Sequence, residues 1–140
     1  MTHRFATIAD GPLLAAYNQQ LIQDEGHRNS MSVPKLEERM RNWLSTNYTA
    51  VLFEQNHETV AYVLYREGPD EIYLRHLFVI RDRRRQGLGR ATMEILRSQI
   101  WPRHKRLTVE VLVGNPVAVA FWRAVGYQDY SLKMEILPGL

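Results

Sequence analysis

Three runs of strand-forming residues, Thr49–Glu54, Val60–Arg66 and Ile72–Val79, follow one another closely along the chain. They are rich in Val, Tyr, Leu and Ile, and the segments between them, Gln55-Asn-His and Glu67-Gly-Pro-Asp, are turn-forming. Connections this short join antiparallel neighbours, because a parallel pair needs a crossover of about a dozen residues or more. The middle of the chain is therefore expected to be an antiparallel meander on which the rest must pack.

The flanks read mainly as helix. Asp10-Gly-Pro is a helix start, with Asp10 able to cap and Pro12 tolerated in the first turn. Leu14, Tyr17 and Leu21 then recur at helical spacing until the polar stretch Gly26–Ser32. A second helix is expected from near Pro34, with Leu36, Met40, Trp43 and Leu44 on one face and Glu37 and Glu38 in its first turn. Beyond the meander, a helix from about Gly87 to Ile100 would bury Leu88, Ala91, Ile95 and Leu96. A strand Leu107–Val113, a helix Pro116–Val125 ended by Gly126, and a last strand alternating Leu132, Met134 and Ile136 complete the order. The expected fold is an α/β (α+β) mixed sheet with helices packed on it, in one domain spanning residues 1–140.

Composition narrows the chemistry. The chain has no cysteine, which removes disulfides, thiolate metal sites and cysteine nucleophiles. His3, His27, His57, His76 and His104 include no i, i+4 pair, so no metal is expected. No apolar run approaches the roughly 20 residues of a membrane helix. Met1 to Asp10 lacks the apolar core of a signal peptide, and a cytoplasmic location is expected. The net charge of +3 is polarised. Arg81, Arg83, Arg84, Arg85 and Arg90 form one basic cluster and Arg103, Lys105 and Arg106 another, whereas Asp24, Glu25, Glu37 and Glu38 lie in the first part.

The most informative segment is Arg84-Arg-Gln-Gly-Leu-Gly-Arg90, between the third strand run and the helix after it. Gly87 and Gly89 remove side chains where a backbone comes close to something, and amides at a helix N-terminus have no partner inside the helix. Together with the helix dipole they make an anion site suited to a pyrophosphate, and Arg84, Arg85 and Arg90 add charge. A Walker loop is excluded because Arg90 and Ala91 follow Gly89. The dinucleotide fingerprint fails because its third glycine would fall at Thr92.

A second segment follows the next strand: Asn115-Pro-Val-Ala-Val-Ala-Phe-Trp-Arg-Ala-Val-Gly-Tyr127. With both segments in place, the chain resembles the Gcn5-related N-acetyltransferase superfamily over nearly its whole length. Arg84, Gly87 and Gly89 match that family's Arg/Gln-x-x-Gly-x-Gly/Ala motif. Asn115, Ala118 and Gly126 match its later Asn-x-x-Ala-x-x-x-Tyr-x-x-x-Gly-Phe segment, with Tyr127 in place of phenylalanine. The resemblance implies transfer of an acetyl group from acetyl-CoA directly to a primary amine, with no metal. It assigns the coenzyme to the backbone of Leu77, Phe78 and Val79, to the loop Arg84, Arg85, Gln86, Gly87, Leu88, Gly89 and Arg90, and to Asn115 and Phe121. A homodimer is compatible with these readings.

Transfer to an amine needs a base for the amine proton and a proton for the leaving thiolate. Glu110, in the strand before Asn115, is the first candidate for the base; the resemblance to ribosomal-protein N-terminal acetyltransferases supports it, and an ordinary sheet glutamate is the alternative. Period two along the third strand run groups His76 with Ile72, Leu74 and Phe78, which reads as a hydrogen-bonded core histidine. Tyr73 and Glu25 are candidates for acceptor contacts. The family's usual general-acid tyrosine is here Trp122, whose indole cannot give up a proton, so that role stays unassigned. Two other readings compete: a non-catalytic acyl-CoA sensor on the same fold, and a nucleic-acid binder, which lacks a recognition helix or stacking motif.

Overall fold

The computed structural model describes residues 1–139. Its sheet has five strands in the order β1-β2-β3-β4-β5: β1 Thr2–Phe5, β2 Tyr48–Gln55, β3 Glu58–Glu67, β4 Glu71–Val79 and β5 Arg106–Val109. The first four are antiparallel neighbours, and β5 joins β4 in parallel. The meander is as expected, and its first turn explains itself. Asn56 and His57 both take positive φ (52° and 66°), the conformation a two-residue hairpin loop needs to match the twist of its strands.

Alternation along the strands sends side chains into two cores. Val51, Phe53, Ala61, Val63, Tyr65, Ile72 and Leu74 meet α3 (Leu88–Ile95) and α4 (Pro116–Ala124) on one face. Ala50, Leu52, Tyr62, Leu64 and Phe78 meet α1 (Gly11–Glu25) and α2 (Val33–Ser45) on the other. The sheet is thus a middle layer between two helical pairs.

Several expectations are corrected. Asp10 does not cap α1. Its carboxylate accepts the Thr7 N–H (2.8 Å) and two N–H groups of Arg4 (2.9 and 3.0 Å), closing a 3-10 turn over Ile8–Asp10. Strand β1, too short and too exposed to leave a hydrophobic pattern, pairs on the outer edge of β2. The helix expected to run to Ile100 widens after Ile95 into a π-type turn, in which the Trp101 N–H reaches the Leu96 carbonyl at 2.7 Å.

The expected strand Leu107–Val113 ends at Val109, because its ladder with β4 stops there. The expected last strand does not form. Leu132, Met134 and Ile136 alternate, but among the described residues nothing pairs with their backbone, and their side chains are exposed. Alternation marks a chain that can be a strand; a ladder partner makes it one. The segment is tethered instead by the Arg106 guanidinium over the Tyr130 ring, 4.5 Å from its centroid, and by an Arg28–Glu135 ion pair at 2.8 Å.

Candidate active site

The site begins at a β-bulge. In the β3–β4 ladder Leu64 faces His76 but Tyr65 faces Leu74, so Arg75 is an extra residue with no partner. The bulge inverts the alternation. Ile72 and Leu74 enter the core under α3 and α4, and so do Leu77 and Val79, while Phe78 enters the core under α1 and α2. The expected grouping of His76 with Ile72 and Leu74 is therefore wrong, and His76 lies on the α1–α2 side, against Tyr62 and Trp43.

The bulge also ends the pairing with β5. The parallel ladder joins Glu71 to Arg106 and Leu74 to Val109, and goes no further. A bulge bends its strand and strengthens the local twist, so β4 turns away from β5 at that point. From His76 to Val79 the edge of β4 facing β5 has no strand beside it among the described residues. Leu77, Phe78 and Val79 thus border an open slot past the end of β5.

The slot leads to the N-terminus of α3. Gly87, which precedes the helix, has φ +75°, a conformation that a side chain disfavours. Gly89 is small for another reason: a Cβ there would lie 3.0 Å from Phe121 Cε1, so its absence lets the α4 ring close against α3. The amides of Leu88, Gly89 and Arg90 stand in the first turn, where no helical carbonyl can accept them.

The arginines divide into two groups. Arg84 donates to Asp24 (2.7 Å) and to the Val79 carbonyl (2.9 Å), and its guanidinium lies over the Phe78 ring. Arg81 takes the other Asp24 oxygen at 3.0 Å. Partial burial opposes ionisation of Asp24, but the hydrogen bonds from Arg81 and Arg84 outweigh it and hold the carboxyl below its usual range. These two arginines tie the loop to the end of α1. Arg85 and Arg90 are exposed and have no carboxylate partner among the described residues, so theirs is the charge open to a phosphate.

Asn115 caps α4, its side-chain oxygen accepting the Ala118 N–H at 3.2 Å. Asn115→Ala should cost about 0.5–2 kcal/mol of stability, read from urea midpoints. Trp122 is buried between Phe121 and Tyr127, with ring centroids 5.0 and 5.4 Å away. The Tyr127 hydroxyl is buried without a partner among the described residues, and burial pushes its pKa up to about 12, so it gives up a proton reluctantly.

Glu110 is exposed, one residue beyond β5 rather than inside a strand. Thr108, two residues before it, stands opposite Tyr73 in the ladder. The two candidates are electrostatic neighbours: burial first, then the Glu110 charge, raises the Tyr73 pKa. Glu25 stands at the end of α1, 3.2 Å from His27; burial raises its pKa and His27 partly offsets the effect.

His76 Nδ1 lies 3.1 Å from the Tyr62 hydroxyl, inside the core. Burial first, then the charges of Arg75 and Arg39, lowers its pKa from 6.5 to about 3, which makes it a poor base. A histidine neutral when folded but protonated when unfolded withdraws stability as pH falls below about 6.5, down to about 3. The slope should approach one proton, about 1.4 kcal/mol per pH unit. Urea midpoints at pH 7.5 and about pH 5 should show a smaller acid loss in His76→Gln than in the native chain.

Comparisons with known proteins bear on the family and the fold. The acetyltransferase (GNAT) domain family matches residues 13–135. The [ribosomal protein bS18]-alanine N-acetyltransferase of Escherichia coli (strain K12) is 28% identical over 127 residues, covering 90% of this chain and 81% of that one. A possible acetyltransferase from Clostridium difficile 630 superimposes with a TM-score of 0.81 at 15% identity, over 99% of this chain and 97% of that one. A predicted acetyltransferase from Clostridium acetobutylicum, solved with acetyl-CoA, does so with a TM-score of 0.71 at 18% identity, over 97% and 95%. With the family matched over most of its length and the fold shared, this chain belongs to the GNAT acetyltransferases.

Proposed function

We propose that the chain is an acetyl-CoA-dependent N-acetyltransferase that moves the acetyl group directly to a primary amine. One observation carries the reading: the unpaired edge of β4 after the bulge leads straight to the free amides of α3. The coenzyme arm lies along Leu77, Phe78 and Val79 as an added strand would. Its pyrophosphate meets the amides of Leu88, Gly89 and Arg90, with Arg85 and Arg90 adding charge and Phe121 closing the floor. Acetyl-CoA supplies the activated acyl group; the chain orients it and handles the amine proton. Glu110, exposed beside Tyr73, takes that proton directly or through one water. Nitrogen then attacks the thioester carbonyl, the C–N bond forms and the C–S bond breaks, and the second proton lost by the nitrogen passes through solvent to the departing thiolate.

The test is acetyl-CoA with a panel of primary amines, following released thiol. At least one amine should give thiol release that depends on both substrates, with the acetylated amine found by mass spectrometry. Binding of acetyl-CoA with no amine modified would instead support a coenzyme sensor.

A further inference from the structure

Three arginines on the α1–α2 side of the sheet have no carboxylate partner among the described residues: Arg39 on α2, Arg66 on β3 and Arg75 at the bulge. All three are laid on aromatic rings. Arg39 and Arg75 both cover Trp43, 4.4 and 4.6 Å from its centroid. Arg66 lies 5.6 Å from the Tyr48 ring and 5.5 Å from the Tyr73 ring. Arg75 also donates to the Tyr48 hydroxyl at 3.3 Å. Stacking holds a guanidinium in place while leaving its in-plane N–H groups free for a planar or tetrahedral oxyanion.

The arrangement concentrates like charge. Burial, then the Arg75 charge, lowers the Arg39 pKa, and both arginines depress His76. Asn18, 1% exposed, accepts from Arg39 at 3.1 Å and fixes one of its nitrogens. Three stacked cations with no carboxylate partner among the described residues form a site that an anion would complete. It lies where the reaction would occur: Arg75 is the bulge residue at the mouth of the slot, and Arg66 shares the Tyr73 ring that neighbours Glu110.

We propose that the amine acceptor carries an anionic group, a carboxylate or a phosphate, received by Arg39, Arg66 and Arg75 while its amine faces Glu110. This rests on the acetyltransferase reading, and it turns the choice of acceptor away from polycationic amines, which the three charges would repel.

The experiment compares four peptides with free N-termini: Ala-Asp-Asp, Ala-phosphoserine, Ala-Asn-Asn and Ala-Lys-Lys. Binding is measured by calorimetry with and without coenzyme A, and acetyl transfer is measured separately. At low salt at least one acidic peptide should bind roughly tenfold or more tightly than Ala-Asn-Asn, and Ala-Lys-Lys should bind worst, with the gap narrowing as salt rises. The better of the two acidic peptides distinguishes carboxylate from phosphate. Arg66→Gln/Arg75→Gln should abolish the preference; should the pair fail to fold, Arg66→Gln alone should reduce it. Equal binding of acidic and neutral peptides, or a preference unchanged in the variants, overturns the proposal. If the preference holds but no peptide or other amine is acetylated, the anion site stands and the transferase reading falls.

Discussion

Glu110→Gln should bind acetyl-CoA as the native chain does and transfer acetyl groups about 10²–10⁴-fold more slowly, the usual contribution of a positioned base. Glutamine keeps the shape and the hydrogen-bonding capacity and removes only proton affinity. Glu110 is exposed just past β5, so the exchange leaves the core untouched. Raising the pH should restore part of the rate, because more of the amine is then neutral without help. A variant with native turnover and native pH dependence would move the base to water or to another group near Tyr73.

Arg85→Gln/Arg90→Gln should lose about tenfold or more in coenzyme A affinity at low ionic strength, and pantetheine, which lacks the phosphates, should bind the variant and the native chain alike. Both side chains are exposed, so the loss should shrink with added salt. Arg84→Gln should behave differently. That guanidinium is committed to Asp24 and the Val79 carbonyl, so its removal should loosen the join between the loop and α1. A folded Arg85/Arg90 variant with undiminished affinity would show that the phosphates lie elsewhere.

Local signals carried most of the fold. The β-rich runs and turn residues predicted β2, β3 and β4; apolar spacing predicted α1, α2 and α3, and the stretch Pro116–Val125 ended by Gly126 predicted α4. The two glycines marked the α3 N-terminus. Features that depend on distant partners were hidden. The bulge at Arg75 involves no glycine and no break in the strand pattern; it exists in the pairing of β4 with β3, and simple alternation consequently put His76 on the wrong face. Asp24 holds Arg84 from 60 residues away, a contact that no motif encodes. The stacking of Arg39, Arg66 and Arg75 needs α2, β2, β3 and β4 assembled together. The alternation of Leu132, Met134 and Ile136 was real, but it predicted a strand where no partner stands among the described residues.

The central claim is that the coenzyme fills the slot opened by the bulge and ends on the α3 amides. Amide hydrogen exchange of the native chain, with and without acetyl-CoA, tests it directly. The account predicts slower exchange at His76–Val79 and at Leu88–Arg90, with little change at β1 or in the β2–β3 turn. Tight binding that leaves those two segments exchanging at their free rates, or that protects other strands instead, would contradict it.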